Sequence, residues 1–195
     1  MKKMRATIVR VGNTEAQNCG AKLMLEANRL SQTGFETARL PFHVSLKQTF
    51  LINDFNDFER FFDDFAPTVA QIEIPFEALV FSPNNSIGGT PSGVLALCAT
   101  RTAELDALQK RLFRELTDAF GPCPAEHDDD YIFHMTVAIG KAPYESYVRA
   151  YEELMKKPIP KSLCFDKIAF FYYDDDAISA GSYFCYKMHE LKKQA

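Results

Sequence analysis

The sequence predicts an α+β protein in which one structural unit occurs twice. Segments with strand-like and helix-like patterns alternate along the 195 residues. A strand, a helix and two further strands occur in this order within 39–120 and again within 131–190. Two similar motifs, at His43 and His134, mark the first strand of each unit and lie 91 residues apart, and the later strands keep this offset. We therefore expect a single domain over 1–195 with an internal duplication.

The elements of the first unit follow from apolar periodicity and from turn residues. Phe55, Phe58, Phe62 and Phe65 recur at steps of three and four residues, which predicts a helix with one aromatic face. The segment NNSIGGTPSG is a dense turn signal between two apolar runs, so these runs should form a hairpin. In chain order we predict a strand over 4–11, a helix over 14–31, the first motif strand over 39–47, a helix over 53–66, strands over 70–81 and 93–100, and a helix over 101–120.

The second unit repeats this order after a break at Gly121 and Pro122. Its turn signal is DDDAISAG, which again separates two apolar runs. We predict the second motif strand over 131–140, a helix over 144–156, and strands over 161–173 and 182–190.

The composition fits a globular protein, with 47% hydrophobic and 25% charged residues. The net charge of −4 disfavours a protein that coats long DNA or RNA, since a basic face supplies most of that affinity. No window approaches 18 apolar residues, and Arg10 interrupts the first apolar run, so we expect neither a transmembrane helix nor a signal peptide. The five cysteines are scattered without a C-x-x-C pair, which favours free thiols in the cytoplasm. We expect a cytoplasmic monomer.

The two motifs place polar groups on otherwise apolar strands. They read HVSL from His43 and HMTV from His134. Because successive side chains of a strand point to opposite faces, His43 and Ser45 should share one face, as should His134 and Thr136. A single such histidine is usually an ordinary strand residue, but two in equivalent places of a repeat indicate a functional pair.

The chemistry of these residue types suits a phosphodiester. One neutral imidazole can remove a proton from the attacking hydroxyl or water, and one protonated imidazole can protonate the leaving oxygen. The hydroxyls of Ser45 and Thr136 can donate hydrogen bonds to the phosphate oxygens and stabilise charge in the transition state. Lys47 lies two residues beyond Ser45, so it is a further candidate for binding the phosphate. This mechanism requires neither a metal nor a cofactor.

Two H-hydrophobic-[ST]-hydrophobic motifs, tens of residues apart, resemble the signature of the 2H phosphoesterase superfamily, which includes bacterial 2'-5' RNA ligases and cyclic nucleotide phosphodiesterases. The likeness in element order covers nearly the whole chain, and Ser45 replaces the more usual Thr in the first motif. The resemblance implies a bilobal α+β fold with pseudo-twofold symmetry, antiparallel sheets, outer helices and a central groove. It also implies a nucleotide 2',3'-cyclic phosphate, a 2'-5' linkage or an RNA terminus as substrate.

Two other classes of function stay open at this point. One is a non-catalytic module that uses the groove to bind a nucleotide or an RNA end. The other is a metal-dependent hydrolase that uses His43, His134 and nearby aspartates. The segment EHDDD at 126–130 is better interpreted as a solvated loop, because consecutive carboxylates cannot easily converge on one ion.

Overall fold

The computed structural model describes residues 3–84, 91–173 and 183–193. In this part of the chain the strands are β1 (Met4–Val11), β2 (His43–Ile52), β3 (Ile72–Asn84), β4 (Ser92–Ala99), β5 (His134–Ile139), β6 (Ser162–Phe165), β7 (Lys167–Tyr173) and β8 (Phe184–Glu190). The α-helices are α1 (Thr14–Ser31), α2 (Phe55–Phe65), α3 (Ala103–Phe120) and α4 (Tyr144–Leu154), and short 3-10 helices cover Glu36–Arg39 and Ala66–Thr68. The predicted α+β class is confirmed. Of the two predicted turns, most of NNSIGGTPSG and all of DDDAISAG lie outside the described residues.

All eight strands join one antiparallel sheet, in the order β6-β3-β4-β5-β2-β1-β7-β8. The two motif strands, β2 and β5, are therefore neighbours at its centre. The hairpin β3–β4 follows β2 in the chain but lies on the β5 side of the sheet, whereas β7 and β8 follow β5 and lie on the β2 side. Each half of the sheet thus combines strands from both sequence repeats.

Three of the α-helices described, α1, α2 and α3, begin where the sequence offers a capping side chain. The side chains of Asn13, Asp54 and Thr102 each accept a hydrogen bond from a first-turn backbone N–H of α1, α2 and α3 respectively. The apolar faces of the helices pack into one core with strand residues such as Ile8 and Leu46. No helix in the described ranges is long and apolar enough to cross a membrane.

The prediction of a single strand over 161–173 is wrong, because this range contains two strands. β6 pairs with β3 at one edge of the sheet, and β7 pairs with β1 in the other half. The chain changes partner at Asp166, where Arg10 donates a 2.6 Å hydrogen bond from Nη2 to the carbonyl of Phe165. Both strands bury apolar side chains, so the apolar pattern of the sequence continues from β6 into β7. The pattern therefore gives no sign of the change of partner strand.

Candidate active site

The imidazoles of both motifs are oriented by the same backbone contact. His43 Nδ1 lies 2.8 Å from the carbonyl oxygen of Pro41, and His134 Nδ1 lies 2.8 Å from that of Ile132. Because a carbonyl can only accept, each Nδ1 carries the hydrogen and each neutral ring keeps a lone pair on Nε2. Each motif strand starts at its histidine, later than the predicted starts at 39 and 131.

The register of the two motif strands brings the four motif side chains together. Val44 pairs with Met135, and both are fully buried on the core side of the sheet. Extending this antiparallel register by one residue in each direction places His43 opposite Thr136 and Ser45 opposite His134 on the other face, here called the motif face. The histidines therefore occupy one diagonal of a small rectangle, and the hydroxyls occupy the other.

A cleft on the motif face provides access to this rectangle. His43 and Thr136 both line it, which agrees with their cross-strand position. Its other walls are mostly apolar and come from the segment before β2, the end of β5 and the residue directly before β8. The remaining lining residues are Glu36, Thr37, Arg39, Leu40, Pro41, Phe42, Ile139 and Tyr183.

The surroundings of His43 hold its imidazole neutral. Desolvation by burial lowers its pKa to about 4, the carbonyl of Pro41 opposes this shift, and the charge of His134 lowers the pKa further. The ring packs edge-on against Phe171, with 4.7 Å between the ring centroids. At neutral pH this imidazole is therefore unprotonated, and the lone pair of its Nε2 can accept a proton.

Each motif strand contains a β-bulge directly after its hydroxyl residue. In β2 the pairing with β1 shifts between Ser45 and Lys47, so Leu46 is the extra residue. In β5 the pairing with β4 shifts between Thr136 and Ala138, so Val137 is the extra residue. A bulge reverses the alternation of side chains beyond it, which ends the polar run of the motif face after two residues.

The prediction that Lys47 shares the face of Ser45 is wrong, and this bulge is the reason. Lys47 pairs with Ile8, which is fully buried, so the lysine side chain points to the core side. It is 3% exposed, and its Nζ binds Asp128 at 2.7 Å and 2.9 Å. The ammonium also lies 4.2 Å from the centroid of the Phe113 ring. Lys47 therefore joins the first motif strand to the loop that precedes the second.

One residue of the acidic loop at 126–130, Asp128, has a structural role. Besides Lys47, Asp128 accepts a hydrogen bond from the backbone N–H of Ala125, so it orders the chain that leads to His134. No group of three or more metal-ligating side chains occurs among the described residues. Sequence analysis missed the role of Asp128, since nothing in the local pattern distinguishes it from the other acidic residues of the segment.

Gln109 and Tyr131 lie beside the first motif and were also missed. Gln109, which is 4% exposed, donates from Nε2 to the carbonyl of Leu46 at 2.9 Å and so satisfies a backbone group at the bulge. Burial raises the pKa of Tyr131 to about 12, while nearby Ser45 and Gln48 act in the opposite direction. A buried phenol that stays protonated thus lies close to the hydroxyl of the first motif.

Comparison with known proteins found a family model and solved structures that are similar to this chain. The family model described as the 2'-5' RNA ligase superfamily matches residues 22–177. TT0787 of Thermus thermophilus is similar at 15% identity and a TM-score of 0.60, over 98% of this chain and 100% of that chain. E. coli LigT complexed with 3'-AMP is similar at 10% identity and a TM-score of 0.56, over 97% and 99%. Kluyveromyces marxianus Usb1 is similar at 9% identity and a TM-score of 0.51, over 94% and 97%. No curated protein sequence matches the chain.

The fold and the paired motifs define a protein of the 2H phosphoesterase class. The family match covers most of the sequence, and the chain belongs to the 2'-5' RNA ligase superfamily. The structural likenesses, all at low identity, show the fold alone.

Proposed function

We propose that the protein is a phosphoesterase that acts on 2',3'-cyclic phosphates or 2'-5' phosphodiesters, with His43 and His134 as its acid–base pair and no metal ion. The observation that carries this proposal is the rectangle on the motif face, which follows from the pairing of Val44 with Met135. A phosphorus atom at its centre would have an imidazole on two sides and a hydroxyl on the other two. Membership of the superfamily and the 3'-AMP bound to E. coli LigT support a nucleotide substrate.

His43 is the general base in this proposal. Its pKa of about 4 keeps Nε2 unprotonated at neutral pH, so it can take a proton from the attacking hydroxyl or water. His134, the diagonal partner, then protonates the leaving oxygen. Ser45 and Thr136 donate to the non-bridging oxygens, where negative charge grows in the transition state. The same groups serve hydrolysis by water and attack by an RNA 5'-hydroxyl.

The experiment that tests the proposal is a screen of nucleoside 2',3'-cyclic phosphates and 2'-5' linked dinucleotides, with the phosphate position in each product determined by NMR. Turnover of one of these substrates supports the proposal and excludes a purely binding role. No turnover of any of them, together with tight binding of the products, would instead favour a nucleotide-binding module.

Chelation separates the two-histidine mechanism from a metal-dependent one. After exhaustive dialysis against EDTA, we expect an unchanged rate on a cyclic nucleotide and no gain on adding Mg²⁺ or Zn²⁺. The imidazoles and hydroxyls provide proton transfer and charge stabilisation without a Lewis acid. A rate that disappears on dialysis and returns only with a divalent ion would overturn this part of the proposal.

The pH dependence should reflect the unusual environment of His43. We expect kcat/KM to fall on the acidic side only near pH 4, because His43 must be neutral and its pKa is about 4. Loss of the proton from the general acid gives the alkaline limb, although both limbs belong to the coupled pair. Folding stability should decrease as the pH falls from about 6.5 to about 4, since the unfolded chain binds a proton there that the folded chain does not. An acidic limb near pH 6.5 would contradict the assignment of His43.

A further inference from the structure

The two motif hydroxyls differ in how firmly their own side chains hold them. Thr136 is β-branched, which restricts its χ1 angle, whereas Ser45 has no branch and its hydroxyl can occupy three staggered positions. A donor stabilises a transition state best when it already points at the growing charge, because no reorientation is then needed. The alignment of Ser45 therefore depends on its surroundings more than that of Thr136 does.

A buried phenol lies beside Ser45. Continuing the register that sets Ser45 opposite His134 places Tyr131 level with Gln48 of β2. The side chains of Ser45 and Gln48 both act on the pKa of the phenol, in agreement with this placement. Tyr131 is 5% exposed, so its hydroxyl approaches the first motif from within the protein and not from the cleft.

The hydroxyl of Tyr131 is still available to form a hydrogen bond. Within the described residues, its oxygen is buried and has no hydrogen-bond partner. Burial raises the pKa of the phenol to about 12, so it keeps a proton to donate. A buried donor that is left unpaired costs free energy, which favours pairing with a polar side chain in reach. Ser45 and Gln48 are the available partners.

The ring of Tyr131 is held in place, so its hydroxyl can orient a neighbour. The ring packs edge-on against Phe133, with 5.2 Å between the ring centroids, and it belongs to the main hydrophobic core. Arg101 donates a 2.6 Å hydrogen bond from Nη2 to the carbonyl of Tyr131. A side chain fixed by packing and by a backbone contact is the kind of support that aligns a functional group.

The equivalent position in the first unit is Leu40, three residues before His43 and 91 residues before Tyr131. Leu40 is half-buried and lines the cleft together with Thr136, but it offers no hydrogen bond to that hydroxyl. The chain thus places a phenol beside its serine and an aliphatic side chain beside its threonine. This distribution is expected if only Ser45 requires an external constraint.

We propose that Tyr131 is a positioning residue for Ser45: its O–H donates to Ser45 Oγ, so that the hydrogen of the serine hydroxyl points into the cleft. This inference rests on the proposed function, in which Ser45 donates to a non-bridging phosphate oxygen. Tyr131 does not touch the substrate, because its oxygen is buried. It also takes no part in proton transfer, since the phenol stays protonated.

The kinetic test uses Tyr131→Phe, which removes the hydroxyl and keeps the ring. It should lower kcat on a cyclic nucleotide by about 3- to 10-fold, the effect of one neutral hydrogen bond, and leave KM and both limbs of the pH profile unchanged. In a Ser45→Thr background the loss should be less than about 2-fold, because the added methyl group restricts χ1. In a Ser45→Ala background it should disappear, since no hydroxyl is left to align.

Tyr147→Phe is the matched control. It removes the hydroxyl of another fully buried tyrosine, which donates to the carbonyl of Thr33 at 3.2 Å, and its kcat should match the wild type. The inference is overturned if Tyr131→Phe retains wild-type kcat. It is also overturned if Tyr131→Phe lowers kcat equally in the wild-type, Ser45→Thr and Ser45→Ala backgrounds, because the tyrosine would then have a general structural role.

An NMR measurement keeps this inference distinct from the proposed function, because it needs no turnover. In protein isotope-labelled at tyrosine Cζ, the signal that is lost in Tyr131→Phe belongs to Tyr131. Ser45→Ala should shift this signal, since a hydrogen bond of the phenol alters the shielding of Cζ, and Thr136→Val should leave it in place. A signal that Ser45→Ala does not move, or that only Gln48→Leu moves, refutes the positioning role whether or not the protein is active.

Discussion

His43→Ala and His134→Ala should each lower kcat by roughly 10²–10⁴-fold, the usual size of an acid–base contribution. In each variant one side of the phosphate loses its proton acceptor or donor, while the other three corners of the rectangle remain. Steady-state kinetics on a cyclic nucleotide measures the loss. The double variant should lose much less than the product of the two single losses, because the base and the acid act in the same step.

Two controls make this result specific. His127→Ala removes an imidazole that is 56% exposed and outside the cleft, so its kcat should match the wild type. Circular dichroism should show that each histidine variant keeps its fold. A single variant with near wild-type kcat would remove that histidine from the mechanism.

The sequence predicted the features that depend on local pattern. The histidines and hydroxyls recur with the same spacing in equivalent strands, and a strand period of two is sufficient to place each pair on one face. The bounds of β1 and α1 agree with prediction because each has a clear apolar period and a sharp end. The capping residue Asn13 marks the start of α1.

The features that the sequence did not predict depend on tertiary contacts. At Asp166 the chain passes from β6, which pairs with β3, to β7, which pairs with β1. Both partner strands favour the same kind of apolar residue, so the local sequence does not show where one strand ends and the next begins. The bulge at Leu46 is stabilised by Gln109, a residue 63 positions away in the chain. Because that contact cannot be read from the HVSL segment, a strict period of two placed Lys47 on the wrong face.

Lys47→Met should destabilise the protein by about 2–4 kcal/mol and leave KM unchanged. The methionine keeps an apolar side chain of similar length but removes the ammonium that lies over Phe113, so Asp128 retains only its bond to the backbone of Ala125. Breaking a fully buried ion pair costs about 3–5 kcal/mol, and the value is lower here because the Asp128 side chain is 23% exposed. Urea unfolding measures the change in stability, and kinetics at a temperature where the variant is folded measures KM.

This variant distinguishes the ion pair from the phosphate-binding role that the sequence suggested for Lys47. A phosphate ligand would raise KM or lower kcat/KM with little change in stability, which is the opposite outcome. Asp128→Asn should destabilise in the same way, and the double variant should lose less than the sum of the two, since both remove one interaction. Lys156→Met is the matched control: its side chain is 65% exposed and pairs with Glu153 on the surface of the protein, so stability should change by less than about 1 kcal/mol. If Lys47→Met were as stable as this control, the Lys47–Asp128 pair would not be what orders the loop before His134.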